Sequence, residues 1–159
     1  MNIEKENNMK KIFQITNEGK KELELELEVL KGKRSEATEK VAEARDFGDL
    51  KENAEYDVAR QEQGLIETRI AEIEDILVNA KIIRKASTGE VSLGSKVELK
   101  TDSKQVFYTV VGPVEADPLE GKISDQSPIG EALMGKKLGD EVVVSTPKGN
   151  IVYQIASIN

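Results

Sequence analysis

The chain has 159 residues, no Cys, His or Trp, and a formal net charge of -7 at pH 7. Without Cys or His it can form no disulfide, no thiolate or imidazole metal site and no Ser-His-Asp triad, so any metal ion it binds must prefer oxygen ligands. The acidic balance also argues against non-specific nucleic-acid binding, which depends on neutralising phosphates with Lys and Arg. No apolar run is long enough to span a membrane, and we expect a monomeric cytoplasmic protein.

The first half of the chain predicts two long helices. Residues 1–9 are polar and are expected to form a disordered lead-in. Over residues 16–47, apolar residues recur at alternating spacings of four and three, which is typical of a helix that pairs with another helix; they are Leu23, Leu27, Leu30, Ala37, Val41 and Ala44. Arg34 is a polar break in this seam. A second stretch over residues 50–80 has the same spacing at Ala59, Ile66, Ile70, Ile73, Leu77 and Ala80.

Only Phe47, Gly48 and Asp49 connect the two stretches. So short a connection predicts that the helices run antiparallel, as a coiled-coil hairpin over residues 10–84. Each arm of about 30 residues would be about 45 Å long, which is more than a small domain needs for its own core. Residues 85–90 are polar and suit a linker.

The second half predicts short strands and one short helix. Strand candidates cover residues 96–100, 105–111, 141–146 and 150–157. Between the two pairs, residues 127–135 carry a Ser cap, a Pro at the first helical position and a Gly terminator. The predicted fold class is therefore α+β: an N-terminal antiparallel coiled-coil hairpin, followed over residues 91–159 by a small antiparallel sheet domain with one short helix.

Residues 45–56, at the end of the hairpin, hold the densest group of informative side chains. Asp49 is followed three residues later by Glu52, the spacing of a capping box, and both acids would favour the positive end of a helix dipole. Exposed at the apex, the same carboxylates could instead enter a partner's cavity and give oxygen ligands to Mg2+. Two carboxylates make a weak magnesium site, so a partner would have to supply the other ligands.

Two segments resemble one protein family. The run Ala-Arg-Asp-Phe-Gly-Asp-Leu-Lys-Glu-Asn-Ala-Glu-Tyr over residues 44–56 resembles the tip signature of the bacterial transcript cleavage factors of the GreA/GreB family. Residues 127–140, Ser-Pro-Ile-Gly-Glu-Ala-Leu-Met-Gly-Lys-Lys-Leu-Gly-Asp, resemble the C-terminal signature of that family. The resemblance implies a transcription elongation factor that is not itself an enzyme. Its coiled coil would enter the secondary channel of bacterial RNA polymerase and stimulate the polymerase's Mg-dependent cleavage of backtracked RNA.

The resemblance also implies roles for particular residues. Asp49 and Glu52 would complete the Mg2+ site of the polymerase, with no metal held stably by the free protein. Arg45 and Arg60 would contact the extruded RNA 3' end, although solvated helix charge explains each equally well, for Arg60 through an ion pair with Asp57. Further signature residues that would support the tip are Gly48, Asn53, Glu55 and Tyr56. The Tyr56 ring could stack on a base, orient the acid or pack on the end of the hairpin.

The C-terminal signature implies that its domain docks on the polymerase surface through Ser127, Pro128, Ile129 and Gly130. Helix capping explains the first two residues equally well, and close packing explains the glycine. The implied fold is FKBP-like, similar to the FK506-binding prolyl isomerases, whose pockets are lined by aromatic residues including Trp. This domain has no Trp, and its aromatic residues are Phe107, Tyr108 and Tyr153. We therefore expect binding without isomerisation.

Two alternative functions stay open. A related channel-binding protein could inhibit the polymerase, although the acidic pair at the tip argues against inhibition. An FKBP-like chaperone or prolyl isomerase could bind clients with its coiled coil, although a sheet so poor in aromatic residues argues against that function.

Overall fold

The computed structural model describes residues 10–47, 53–84 and 88–159. In these ranges the helices are α1 (Asn17–Asp46), α2 (Ala54–Val78) and α3 (Pro128–Leu133), with single-turn 3-10 helices at Pro113–Glu115 and Pro118–Glu120. The strands are β1 (Phe13–Ile15), β2 (Ala80–Ile82), β3 (Lys96–Lys100), β4 (Gln105–Val111), β5 (Lys122–Ser124), β6 (Glu141–Thr146) and β7 (Gly149–Ile158). One compact unit contains Lys20–Ala80, and the other contains Phe13–Gly19 with Lys81–Asn159. None of the described helices is both long and apolar enough to cross a membrane.

Helices α1 and α2 form the predicted hairpin. Ala37 packs with Ile66 and Ile70 in a buried cluster that Leu27 and Leu30 complete. The predicted seam is correct over most of its length, with buried side chains at Leu23, Ala37, Ala44, Ala59, Ile66, Ile70 and Ile73. It is wrong at the far end of α2, where Ile76 is buried instead of Leu77, because the helix ends at Val78 and the chain continues into β2.

Four ion pairs join α1 to α2 along the hairpin. Their members are Arg69 with Glu26, Lys31 with Glu74, Arg34 with Glu67 and Lys40 with Glu62. Positions further along α1 generally pair with earlier positions of α2, as antiparallel helices require. Arg34, the polar break in the seam, donates from Nε and Nη2 to the two oxygens of Glu67, both at 2.8 Å. The paired side chains are half exposed, so each pair contributes up to about 1 kcal/mol.

Strands β1 and β2 pair with each other where the chain enters and leaves the hairpin. Beyond them, the Ile83 amide donates to the Ile15 carbonyl at 2.9 Å. The sequence did not predict these strands, because three residues are too few to establish a periodicity. At the start of α1, the Thr16 amide donates to Oε2 of Glu115 at 2.7 Å, and the Gly19 amide donates to the Thr16 hydroxyl at 3.0 Å.

The remaining strands form one five-stranded sheet in the order β5-β4-β3-β7-β6. The two predicted strand pairs are confirmed, with Lys96 opposite Thr109 and Glu141 opposite Gln154. The sequence missed β5, which pairs in parallel with β4 and makes the sheet mixed. Helix α3 follows its predicted Ser127 cap. One face of the sheet packs on α3 around a buried core of Val91, Val97, Leu99, Val110, Ile123, Leu133, Val142, Val144, Tyr153 and Ile155.

Candidate functional site at the hairpin tip

Three of the predicted tip residues, Gly48, Asp49 and Glu52, lie outside the described residues. The metal-binding role of Asp49 and Glu52 therefore stays a prediction. The structure does describe the chain on both sides of them, up to Phe47 at the end of α1 and from Asn53 at the start of α2.

Asn53 links the two helices at the tip through both ends of its side-chain amide. Its Oδ1 atom accepts a hydrogen bond from the Tyr56 amide at 3.1 Å, which makes Asn53 the N-cap of α2. Its Nδ2 atom donates to the carbonyl of Ala44 on α1 at 2.5 Å. One side chain therefore satisfies a free amide of α2 and ties that helix to the end of α1.

The capping box predicted at Asp49 and Glu52 is wrong for this helix. Helix α2 begins at Ala54, and its N-cap is Asn53 rather than Asp49. Asp and Asn are equally good caps, so the spacing of the two acids pointed to the wrong one. The cap of α2 is therefore the Asn53 side chain, and Asp49 and Glu52 themselves lie outside the described residues.

The first turn of α2 carries two further acids, Glu55 and Asp57. Their charges favour the positive end of the helix dipole. The Glu55 side chain is exposed, whereas Tyr56 is half buried. The three alternatives for the Tyr56 ring, stacking on a base, orienting the acid or packing on the end of the hairpin, stay predictions.

Arg45 and Arg60 lie on one flank of the tip. Arg34 and Glu67 form an ion pair on this flank. Arg45 follows Arg34 by eleven residues, about three helical turns, and Arg60 precedes Glu67 by seven residues, about two turns. Each arginine therefore lies on the same side of its helix as the paired residue. Both arginines are exposed, and among the described residues neither forms an ion pair or hydrogen bond. In particular, the alternative pairing of Arg60 with Asp57 is not formed. The role of the two arginines in contacting RNA stays a prediction.

The opposite flank of the tip carries an apolar groove with a volume of about 410 Å³. Phe47, which follows α1, and Val58 of α2 line it, and these residues are 81% and 63% exposed. The groove is also lined by Lys40, Glu43, Ala44, Ala54, Glu55, Ala59 and Glu62. Sequence reasoning missed this surface, although two large apolar residues outside the helix seam could have indicated it.

The predicted docking residues are held by local contacts around α3. The Ser127 hydroxyl donates to the Ser124 carbonyl at 2.6 Å and accepts from the Gly130 amide at 3.1 Å. Gly130 is buried so closely that an added Cβ would overlap the carbonyl oxygen of Ser124. Ile129 packs against the sheet core, and Pro128 is exposed. Capping and close packing thus account for Ser127 and Gly130, and docking stays a prediction.

The open face of the sheet carries a polar cluster around Glu98. Hydrogen bonding to Lys100 lowers the pKa of the Glu98 carboxyl, with a further contribution from Ser157. The Lys100 Nζ atom is 3.0 Å from Oε1 of Glu98, and the Ser157 hydroxyl donates to Oε2 at 3.1 Å. Phe107 lies opposite Glu98 in β4 and is 65% exposed, whereas Tyr153 is buried in the core.

Comparisons with known proteins match the two halves of the chain separately. The family described as "Transcription elongation factor, N-terminal" matches residues 13–82, and "Transcription elongation factor, GreA/GreB, C-term" matches residues 86–159. These matches define the class of the protein as a transcription elongation factor. The chain belongs to the GreA/GreB family of bacterial transcription elongation factors.

Individual relatives are similar over nearly the whole chain. Transcription elongation factor GreA of Thermoanaerobacter pseudethanolicus is 51% identical over 155 residues, which are 94% of this chain and 99% of that protein. GreA of Bacillus licheniformis is 49% identical over 154 residues, covering 94% of this chain and 98% of its own length. The crystal structure of GreA factor homolog 1 (Gfh1) of Thermus thermophilus aligns with a TM-score of 0.45 at 35% identity, covering 94% of this chain and 99% of that one.

Proposed function

We propose that this elongation factor inserts the tip of its hairpin into the secondary channel of bacterial RNA polymerase, in the cytoplasm. There it stimulates the polymerase's own Mg-dependent cleavage of backtracked RNA and releases arrested complexes, without being an enzyme itself. One observation carries the proposal: Asn53 ties the start of α2 to the end of α1, on either side of the short connection that contains Asp49 and Glu52.

The donor set of the tip suits magnesium. Carboxylate oxygens are the ligands that Mg2+ prefers, and the chain has no Cys or His to favour a softer metal ion. Within the described ranges, no group of three or more acidic residues is placed to hold a metal ion. In the proposed complex, Asp49 and Glu52 add oxygens to ligands that the polymerase provides. A second Mg2+ in such a site activates water and stabilises charge on the phosphate.

The arginine flank supports a role in binding the RNA. Arg45 and Arg60 are exposed, and neither forms an ion pair with a described acid. Guanidinium groups bind phosphates through charge-assisted hydrogen bonds. In this proposal the two arginines hold the extruded RNA 3' segment beside the carboxylates, while residues around Pro128 of α3 dock the sheet unit on the polymerase.

A cleavage assay on a backtracked transcription complex tests the proposal. Bacterial RNA polymerase is halted with its RNA 3' end extruded, and RNA shortening is followed at increasing concentrations of the factor. D49N and E52Q should each lower the maximal cleavage rate at least about tenfold, because each removes a charged ligand at the reacting phosphate. The half-saturating concentration should change little, because binding uses other surfaces.

The matched control is D57N, which removes an exposed carboxylate from the first turn of the same helix. It should retain the cleavage rate of the unmodified factor. Full stimulation by D49N would show that Asp49 is not a metal ligand. Slower nucleotide addition on complexes that have not backtracked, without any RNA shortening, would favour the inhibitory alternative instead.

A further inference from the structure

We propose that the apolar groove at the tip receives a protein segment of the polymerase that presents an aliphatic or aromatic side chain flanked by Lys or Arg. The proposal rests on the proposed function and adds a second binding surface to the hairpin, on the flank opposite the arginines. The occupant is a protein segment rather than RNA, and both the apolar and the acidic residues of the groove support that choice.

The groove is lined by two large apolar side chains that are exposed. Phe47 and Val58 are 81% and 63% exposed, although both lie beside the buried seam residues Ala44 and Ala59. Neither side chain belongs to the buried cluster of Ala37, Ile66 and Ile70 in the described part of the hairpin. A groove lined by exposed large apolar residues is typical of a protein-binding site, because covering those residues removes apolar area from water.

The rim of the groove is acidic. It carries the carboxylates of Glu43, Glu55 and Glu62 and the ammonium of Lys40. Lys40 already pairs with Glu62 at 3.3 Å, whereas Glu43 and Glu55 form no ion pair with any described residue. The carboxylates of Glu43 and Glu55 repel RNA phosphates and attract basic side chains. Charge therefore favours a segment that places Lys or Arg beside its apolar anchor.

The two flanks of the tip thus suit different ligands. Arg45 and Arg60 on one flank match phosphates, and the groove on the other flank matches a protein surface. Cations on one side and acids on the other give the hairpin a preferred rotation about its long axis inside a channel. In the channel, the groove then faces the protein wall while the arginines face the RNA.

Substitution of the exposed apolar residues tests the groove. The double variant F47S/V58S removes both anchors, and L65S is the matched control, because Leu65 is a similarly exposed residue (66%) two turns further along the same face of α2 and outside the groove. In the backtracked-complex assay, F47S/V58S should raise the half-saturating factor concentration at least about tenfold and leave the maximal cleavage rate within about twofold. L65S should match the unmodified factor in both quantities.

This result differs from that expected of D49N, which lowers the maximal rate at nearly constant half-saturation. Unchanged half-saturation for F47S/V58S, with an active unmodified factor, would overturn the groove proposal and leave the proposed function standing. An unmodified factor that fails to stimulate cleavage would overturn the proposed function itself. Circular dichroism of F47S/V58S should show native helix content, because both positions are exposed.

Crosslinking distinguishes the possible occupants. Benzoylphenylalanine placed at position 47 should crosslink to a polymerase subunit in the assembled complex, and the same group at position 45 should crosslink to the labelled RNA. Capture of RNA from position 47 would overturn the proposal. A dimer of the free factor that F47S/V58S converts to monomer in light scattering would also overturn it, because a second copy would then be the occupant.

Discussion

Asn53 shows how a single side chain can fix the geometry of a functional tip. Its amide carries both a hydrogen-bond acceptor and a donor. The acceptor caps α2 at the Tyr56 amide, and the donor reaches the Ala44 carbonyl of α1. Asp and Ser can also cap a helix, but an ionised Asp has no donor to offer. The second contact explains why asparagine suits this position better than other capping residues.

Two substitutions at Asn53 should separate the cap from the link between the helices. N53D keeps an acceptor for the Tyr56 amide and loses the donor to Ala44, whereas N53A loses both. N53A should weaken the start of α2 by about 1 kcal/mol, the usual cost of losing a cap. Hydrogen exchange at the Tyr56 amide should therefore speed up several-fold in N53A and much less in N53D.

Both Asn53 variants should lower the maximal rate of stimulated RNA cleavage, because both release the end of α1 from the start of α2. A fully active N53D would show that the cap alone is sufficient and that the bond to Ala44 has no role in positioning the tip. S127A is a suitable control, since it removes a cap from α3 instead.

The sequence showed which residues form the tip better than it showed how they are arranged. The run from Ala44 to Tyr56 contains Arg45, Asp49, Glu52 and Asn53, whereas Val58 and Arg60 follow it in the chain. Neither propensity nor spacing could separate Asp49 from Asn53 as the cap, because both residue types are strong caps. The bond from Asn53 to Ala44 spans nine residues across the connection between the helices, and no local pattern encodes it.

At the scale of elements, the long helices were predictable because a four-three seam repeated over three heptads outweighs any local ambiguity. The short strands β1, β2 and β5 were not, since three residues carry no recognisable period and tertiary pairing determines their conformation. Arg34 was recognised as a break in the seam, but its partner Glu67 lies 33 residues away in sequence. Only the antiparallel pairing of α1 and α2 brings the two together.

A double-mutant cycle should measure the link between Arg34 and Glu67. The pair is bidentate, but its side chains are 42% and 47% exposed. We therefore expect a coupling free energy of about 0.3–1 kcal/mol between R34A and E67A, decreasing as salt screens the charges. Denaturant unfolding of the full chain, followed by helical circular dichroism, would measure it.

The control cycle combines R34A with E74A. Glu74 pairs with Lys31 rather than with Arg34, so these two effects should add. A coupling for Arg34 and Glu67 that persists undiminished in molar salt would contradict the description of this pair as a solvent-screened contact.

At the scale of the whole molecule, the net negative charge should oppose binding to free nucleic acid without preventing binding to the polymerase. The chain carries 30 acidic and 23 basic residues. Long-range repulsion of phosphates should therefore dominate over the local attraction of Arg45 and Arg60. The arginines become effective only when the polymerase already holds the RNA close to them.

The free factor should accordingly form no complex with labelled single-stranded RNA or duplex DNA at micromolar protein in low salt, as measured by fluorescence anisotropy. R45A and R60A should leave this result unchanged and yet raise the factor concentration needed for RNA cleavage on the polymerase. Tight, salt-sensitive binding of free RNA by the unmodified protein would contradict this division of roles.

Because the paired strands β1 and β2 form the base of the hairpin, its two helices can change in length while the base stays the same. Helix α1 starts just after β1, and helix α2 ends just before β2. The two strands pair with each other, and the Ile83 amide beyond them donates to the Ile15 carbonyl. One heptad inserted into each arm would lengthen the hairpin by about 10 Å and keep the seam in register. A heptad in one arm alone would move Arg34 past Glu67 by two turns. Evolution or design can therefore change the reach of the tip in matched steps of seven residues, without altering the base or the tip.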